Sequence, residues 1–343
     1  MLQIFTYLRI RNINMMSVTE KNATAWQPTA TIEHLQQRAQ IITKIRHFFD
    51  VRHVIEVDTP LMSHYTITDP HVVGIPAIYT ALGSHDKKEM HLQTSPEYAM
   101  KRLLAAGSGP IYQICKAFRQ GEVGRLHNPE FTMLEWYRLG FDHHALMDEM
   151  DELLQITLQT APAERVSYTD LFEKHLGINP HAANAESLAL CAKQKNIVLS
   201  GTLPDRDAWL DLLWTHCIEP VVGQERPIFL YDFPASQAAL AKVRDEQPPV
   251  ASRFEVYFKG IELANGFHEL QDASEQAARF ARDLDFRKQH GFPDKVIDPR
   301  FLAALQNGLP DCAGVALGID RLVMLALGCD RVADILSFAF ERA

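Results

Sequence analysis

The chain has 343 residues, 47% of them apolar and 22% charged, an ordinary globular composition; its net charge of −9 argues against a surface built to follow a nucleic-acid backbone, which rewards clustered Lys and Arg. Five cysteines (Cys115, Cys191, Cys217, Cys312, Cys329) include no CxxC pair, so they point to neither a disulfide framework nor a zinc ribbon, and they fit a reducing cytoplasm. No apolar run approaches the ~20 residues needed to span a bilayer, and Arg9 and Arg11 sit where a signal peptide wants hydrophobic residues.

In chain order, Met15 and Met16 precede a polar stretch, Ser17 to Gln27, so residues 1–16 are expected to be a non-essential extension and 17–343 one domain. From Thr31, placed as an N-cap, Leu35, Ile41, Ile42, Ile45, Phe48, Phe49 and the stem of Arg38 recur at helical spacing. A β-branched strand follows over His53 to Val57 and stops at Pro60. Ser95, Pro96 and Glu97 read as the cap, first-position proline and first-turn acid of a helix reaching about Ala106. Ile111 to Phe118 and Phe131 to Arg138 form an antiparallel hairpin whose polar loop is longer than a turn requires. Period-two alternation puts Phe131, Met133, Glu135 and Tyr137 on one face of its second strand. A helix over His143 to Gln159 precedes a mostly helical insertion, 161–222, without recognisable chemistry. Strands at Pro227–Tyr231 and Arg253–Phe258, a polar helix at Ala273–His290, a strand at Gly314–Gly318 and a helix at Asp320–Leu327 complete the pattern.

The sequence contains neither GxxxxGK[ST] nor a GxGxxG after a strand, so P-loop and Rossmann chemistry are not expected. The long loop instead carries Arg119, Gly121 and Glu122 at its entrance and Arg125, His127, Asn128 and Phe131 at its exit. Guanidinium forks bond phosphate oxygens in pairs, a histidine adds a donor, and an aromatic ring stacks on a purine. Gly314, Ala316 and Gly318 share one strand face and leave it nearly bare, as a ligand lying against backbone requires; Arg321 follows in the first turn of a helix, where a cation is electrostatically out of place. If Lys259-Gly260 is a two-residue hairpin turn, Tyr257 faces Glu262, and Glu255 and Glu262 become diagonal neighbours about 7–8 Å apart, a spacing suited to Mg²⁺ on ATP phosphates. Each element has a bland alternative: a solvated loop, a helix-on-sheet packing site with Arg321 paired to an acid, and a surface hairpin turning at Asn265-Gly266.

Taken together, the helix and strand ending at Pro60, the segment Phe118–Arg138 and the segment Gly314–Leu322 resemble motifs 1, 2 and 3 of the class II aminoacyl-tRNA synthetases, most closely the lysyl enzymes, over Ile32 to the C-terminus. The resemblance implies an α+β fold with a mixed, mainly antiparallel sheet flanked by helices, and a homodimer built through motif 1. It implies bent ATP with adenine between Phe131 and Arg321, the α-phosphate at Arg119, the γ-phosphate near His127 and Arg321, and Mg²⁺ at Glu255 and Glu262. Gly121, Glu122, Asn128, Leu263 and Gly318 complete the implied ATP site. Ser95, Pro96, Glu97, Tyr137, Asn265, Glu269 and Ala316 fall where the lysyl enzymes hold their amino acid, and two carboxylates suit a substrate with two ammonium groups.

Two departures sharpen this resemblance. The family's Arg-x-Glu is here Arg119-Gln120-Gly121-Glu122, which displaces the acid that reads the adenine amino group. Motif 1 begins at Ile32, which leaves no room in this sequence for the anticodon-reading domain of lysyl-tRNA synthetases, so a tRNA substrate is not expected. A core of this kind is similar to the elongation factor P (R)-β-lysine ligases, particularly over His127–Tyr137 and Gly260–Leu270; Ala316, where the tRNA enzymes have glycine, adds a methyl fitted to a shifted amino group. The implied reaction is adenylation of (R)-β-lysine or lysine and its transfer to a lysine side chain of elongation factor P in the cytoplasm. The alternatives are a truncated lysyl-tRNA synthetase acting on tRNA, a catalytically silent regulatory module, and an amide synthetase of the asparagine synthetase A kind, which the lysyl-like acids disfavour.

Overall fold

The computed structural model describes residues 26–199, 201 and 203–343, so the extension expected at 1–16 lies outside the described residues. Helix α1 (Ile32–Asp50) starts where the Thr31 hydroxyl accepts the His34 N–H at 3.1 Å, supplying a partner the first turn lacks. Its apolar face buries Ile41, Ile45, Phe48 and Phe49, each contributing about 1.5–3 kcal/mol by leaving water. The strand expected at His53–Val57 shrinks to β1 (Ile55–Glu56), because His53, at φ 55°, leaves the extended region just before it.

No alternation marks residues 61–92 in the sequence, yet β2 (Met62–Ser63), β3 (Pro76–Thr80) and β4 (Lys87–Leu92) form a small antiparallel sheet in the order β2-β4-β3. Most of its residues are exposed, so it has no buried face to print a period of two on the sequence. Helix α2 (Glu97–Ala105) begins one residue later than expected: Pro96 occupies the N-cap position, and the Ser95 hydroxyl accepts the Glu97 N–H at 3.1 Å.

Strands β5 (Ile111–Phe118) and β6 (Glu130–Leu139) pair antiparallel from Phe118↔Glu130 to Ile111↔Tyr137, as the alternation requires. Helix α3 (His143–Leu158) leads to β7 (Glu164–Ser167), α4 (Tyr168–Leu176), α5 (Ala185–Gln194) and α6 (Arg206–Leu213). The segment 161–222 is thus mostly helical, but it also supplies an edge strand: β7 runs parallel to β8 (Ile228–Pro234). After β9 (Val243–Arg244), β10 (Val250–Phe258) and β11 (Ile261–His268) come α7 (Ala273–Gln289) and α8 (Pro299–Gly308), then β12 (Cys312–Gly318) and α9 (Ile319–Ala326). The main sheet runs β1-β5-β6-β12-β11-β10-β8-β7, with β9 on β10; all its pairs are antiparallel except β1/β5 and β7/β8. This is the mixed, mainly antiparallel α+β sheet that the resemblance implies.

One face of the sheet, with Leu134, Trp136, Val256, Ala264, Val315 and Leu317, forms a single core with residues of α1, α3 and α9. Strand alternation therefore turns Phe131, Met133, Glu135 and Tyr137 to the opposite face. Arg38, expected to contribute only its stem, also anchors its head: Nη2 lies 2.7 Å from Asp320 Oδ1 and donates to Thr132 Oγ1 at 2.8 Å, while Asp320 Oδ2 accepts the Thr132 N–H at 3.0 Å. This cluster ties α1, β6 and the start of α9 together, next to Arg321.

Candidate active site

Register places a row of residues across five strands on the face away from the core: Gln113, Glu135, Ala316, Asn265 and Glu255 are successive cross-strand partners on β5, β6, β12, β11 and β10. The next row toward the other end of β6 runs Ile111, Tyr137, Gly314, Phe267 and Arg253. Residues paired in one register stand on one face, so both rows belong to one floor, on which Gln113, Glu135 and Glu255 are buried while Ile111 and Tyr137 pack into a second core with Met100, Leu104, Phe280 and Phe301. Two charged groups flank the floor.

At the motif 2 side, the Arg119 guanidinium stands over the Phe131 ring, 5.1 Å from its centroid, with Glu122 Oε1 3.8 Å from Nη1 and its own Nε buried without a hydrogen-bond partner. Gly121 turns the loop at φ 81°, and Asn128 ties it down by donating to the Glu130 carbonyl at 2.7 Å and accepting the Phe340 N–H at 2.9 Å. Arg321 reaches this loop from α9: Nη1 donates to the Glu262 carbonyl at 2.7 Å, Nε to the Leu126 carbonyl at 3.3 Å, and Nη2 lies 2.6 Å from His127 Nε2. Burial, then Arg321 and Arg119, push the His127 pKa down to about 4, so the ring is neutral. An Nε2 that accepts from Arg321 leaves the ring proton on Nδ1. The structure therefore brings together four predicted ATP residues, Arg119, His127, Phe131 and Arg321.

The acids expected to hold Mg²⁺ also meet. Lys259 (φ 52°) and Gly260 (φ 68°) form the two-residue turn, with positive φ at both central positions as a type I′ hairpin demands, and Tyr257 faces Glu262 as the sequence predicts. A bulge leaves Leu263 without a partner, because Val256 pairs with Ala264 and Tyr257 with Glu262; this extra residue puts Glu262 and Asn265 on the same face. Asn265-Gly266 lies within β11, which removes the surface-hairpin alternative. Leu263 buries its side chain in the core, so it offers the floor only backbone. Glu255 accepts from the Tyr257 hydroxyl at 2.6 Å and pairs with Arg253, and burial, against the pull of Arg253 and with the push of Glu262, raises its pKa to about 7. A dication beside both carboxylates would relieve that repulsion, so the donor set fits Mg²⁺ completed by phosphate and water. Among the described residues no group of three or more His, Cys, Asp or Glu is gathered for a metal.

At the other flank lies a buried charge cluster. Lys101 Nζ, on a side chain 2% exposed, is 2.6 Å from both Glu97 Oε1 and Glu269 Oε2. Tyr137 donates to Glu135 Oε1 at 2.6 Å, while Glu135 Oε2 and both amide atoms of Gln113 are buried without partners. Burial pushes Glu135 up to about 8, reinforced by Glu97 and opposed by the Tyr137 hydrogen bond and Lys101; burial likewise takes Glu269 to about 7 against the pull of Lys101. Of the predicted amino-acid residues, Glu97, Tyr137 and Glu269 converge here. Ala316 and Asn265 sit in the adjoining row, Asn265 accepting from Arg253 Nε at 3.1 Å, and Ser95 and Pro96 start α2.

The bare face of β12 serves two purposes. A Cβ at Gly314 would lie 2.3 Å from Tyr137 Cε1 and 2.6 Å from Glu269 Oε1, so the missing side chain makes room for two neighbours; at Gly318 only the Leu263 carbonyl comes near, at 3.8 Å, so that end is open for a ligand. Gly314→Ala is expected to displace Tyr137 and Glu269 and raise the KM for the amino acid by at least about tenfold, a 1 Å misplacement costing up to about 10²-fold, with the KM for ATP little changed. Steady-state kinetics on the folded variant check this.

Four groups at the floor escape prediction. Glu135 had the signal, since alternation already sets it on the face of Tyr137; Lys101 had the i,i+4 spacing from Glu97. Gln113 needed the register of β5. Glu219, in the insertion, feels Glu262 and Glu255, and burial followed by those two acids raises it to about 7; nothing in its local sequence marks it.

The family model of class II tRNA synthetases (D, K and N) matches residues 19–342. The chain is 54% identical over 321 residues to the elongation factor P--(R)-beta-lysine ligase of Vibrio campbellii, spanning 93% of this chain and 99% of that protein. To the proteins of the same name from Vibrio cholerae and Salmonella arizonae it is 54% and 52% identical, each over 319 residues, 93% of this chain and 98% of theirs.

Proposed function

The chain belongs to the class II tRNA synthetase family, and from that membership we propose that it activates (R)-β-lysine, or lysine, as an adenylate and transfers it to a lysine side chain of elongation factor P. It is an ATP-dependent ligase. The observation that supports the substrate is the cluster of half-buried Glu97 and buried Glu135 and Glu269 around Lys101, with Glu135 on the sheet face that also carries Glu255 and Glu262, beside which Arg119 and Arg321 stand. A carboxylate-rich pocket selects ammonium groups, and the arginine end selects phosphates.

In the proposed first step a substrate carboxylate oxygen attacks the α-phosphorus of ATP, and the bond to the β-phosphate oxygen breaks to release pyrophosphate. Arg119 stabilises the negative charge at the α-phosphate, and Arg321, oriented by neutral His127, holds the departing end. Mg²⁺, when bound at Glu255 and Glu262, would supply charge neutralisation at the phosphates. In the second step a lysine amine of the acceptor attacks the anhydride carbonyl, loses a proton, and AMP leaves. No side-chain nucleophile is needed, so positioning and electrostatics carry the rate. Ala316 stands between Glu135 and Asn265, and its methyl biases the floor by about 1–3 kcal/mol at most between β- and α-lysine.

Exposed Ile32, Val51 and Ile55 on the motif 1 segment support a homodimer through that surface. No helix among the described residues is long and apolar enough to cross a membrane, and a cytoplasmic ligase fits the free cysteines. The test is transfer: with ATP, Mg²⁺ and labelled (R)-β-lysine, purified elongation factor P is expected to gain one β-lysyl group by mass spectrometry. Labelling of tRNA instead, with the factor unmodified, would favour the truncated-synthetase reading.

A further inference from the structure

The cation at the centre of the amino-acid pocket belongs to the protein itself. Lys101 is only 2% exposed, and among the described residues its partners are Glu97, four residues back on α2, and Glu269, just beyond β11. A buried ammonium is costly unless paired, and a pair of carboxylates facing each other is costly unless a cation lies between them. Among the described residues, the ionisable groups acting most strongly on Lys101 and its partners are Glu97 from α2, Glu135 from β6 and Glu269, while Asp311 acts on Cys312 and Asp69, Asp283 and Asp298 act on Tyr98. The phenols of Tyr98 and Tyr137 and the thiol of Cys312 on β12 are pushed up by burial and stay neutral. Three acids against one fixed cation leave two negative charges once all three have ionised, and a diamino acid brings two ammonium groups.

We propose that Lys101 is a positioning residue, an internal counter-ion lodged between the Glu97 and Glu269 carboxylates that fixes their separation so that the pocket presents a charge matched to a substrate with two ammonium groups. This rests on the reading of the floor as a lysine-like site. Burial opposes the charge on Lys101, but Glu269 and Glu97 outweigh it and raise its pKa, so the ammonium persists across the physiological range. Without it, Glu269 and Glu135 lose the charge that pulls their pKa values down and turn further from acceptors of substrate ammonium into donors. Glu135, without direct contact with the cation, is the acid that holds a proton in the empty pocket and gives it up as the substrate's ammonium groups enter.

The test is Lys101→Met compared with Lys101→Arg, in ATP–pyrophosphate exchange with L-lysine and with (R)-β-lysine from pH 6 to 9. In Lys101→Met the acid limb of kcat/KM for the amino acid is expected to move up by about 1–3 pH units, the effect of removing an opposite charge at this range. The amino-acid KM at pH 7 rises at least about tenfold, and the ATP KM stays close to wild type; Lys101→Arg restores the acid limb. An acid limb that stays put in a folded Lys101→Met, or equal rises in both KM values, overturns the proposal. Should neither variant fold, calorimetry of lysine binding to the wild type near pH 7 in two buffers decides: release of fewer than two protons supports the counter-ion role, and release of two or more overturns it. Absence of exchange by the wild type with either amino acid would sink the lysine-like reading instead, so the two failures are distinct.

Discussion

Arg321→Ala is expected to lower amino-acid-dependent ATP–pyrophosphate exchange by about 10²–10³-fold, the usual loss when one preorganised donor to a developing charge is removed. The size follows from how Arg321 is held. Its three nitrogens bond the Glu262 carbonyl on β11, the Leu126 carbonyl in the motif 2 loop and the imidazole of His127, so the fork is fixed before any phosphate arrives. Asp320, its neighbour in the chain, is locked by Arg38 and by the Thr132 N–H, which fixes the first turn of α9 on β6 and α1. A lysine cannot reproduce three divergent bonds, so Arg321→Lys is expected to rescue little. The side chain is 22% exposed and its bonds are polar ones to Glu262, Leu126 and His127, so far-ultraviolet circular dichroism and Tm are expected to stay near wild type. Wild-type exchange in a folded Arg321→Ala variant would remove this residue from the site.

Glu269→Gln acts at the other end. Glutamine keeps the shape of a side chain that is 1% exposed but removes one of the two carboxylates clasping Lys101, so an incoming ammonium meets a pocket with one charge fewer. Truncating one partner of a buried, hydrogen-bonded charge pair costs about 2–5 kcal/mol, about 30-fold to several thousand-fold in affinity. That loss is expected in the KM for lysine and not in the KM for ATP, because the residues proposed to hold ATP lie along the other flank of the floor. A Glu269→Gln variant with unaltered lysine KM would contradict the assignment of the pocket.

The same acids give the free protein a pH signature. Glu135 and Glu269 have native pKa values of about 8 and about 7, above the ordinary value of 4.5, so between those limits the folded chain holds more protons than the unfolded one. Their contribution to stability is present below pH 4.5 and is lost as the pH rises through 7 and 8. His127 has the opposite sign: its native value of about 4 lies below the ordinary 6.5, so its contribution is lost as the pH falls through that window.

Much of this was legible in the residues because the relevant signals are local. Alternation on β6 gave the face of Phe131 and Tyr137, and the Lys259-Gly260 turn gave the pairing of Tyr257 with Glu262, since a two-residue hairpin has only one register. What was hidden depends on neighbours distant in sequence. Gln113 joins the floor only because β5 and β6 pair as they do, and the bulge at Leu263 keeps Asn265 on the face of Glu262. Gly314 looked like an opening for substrate, whereas its vacant Cβ position is filled by Tyr137 and Glu269. The small sheet at β2 to β4 left no trace because most of its residues are exposed.

ATP–pyrophosphate exchange tests the central claim most directly, because it reports adenylate formation without needing the acceptor. With Mg²⁺ present, label from pyrophosphate is expected to enter ATP when (R)-β-lysine or L-lysine is added and not when leucine or aspartate is. No exchange with either diamino acid, or equal exchange with all four, would contradict a site built from two phosphate-binding arginines and a carboxylate pocket for two ammonium groups.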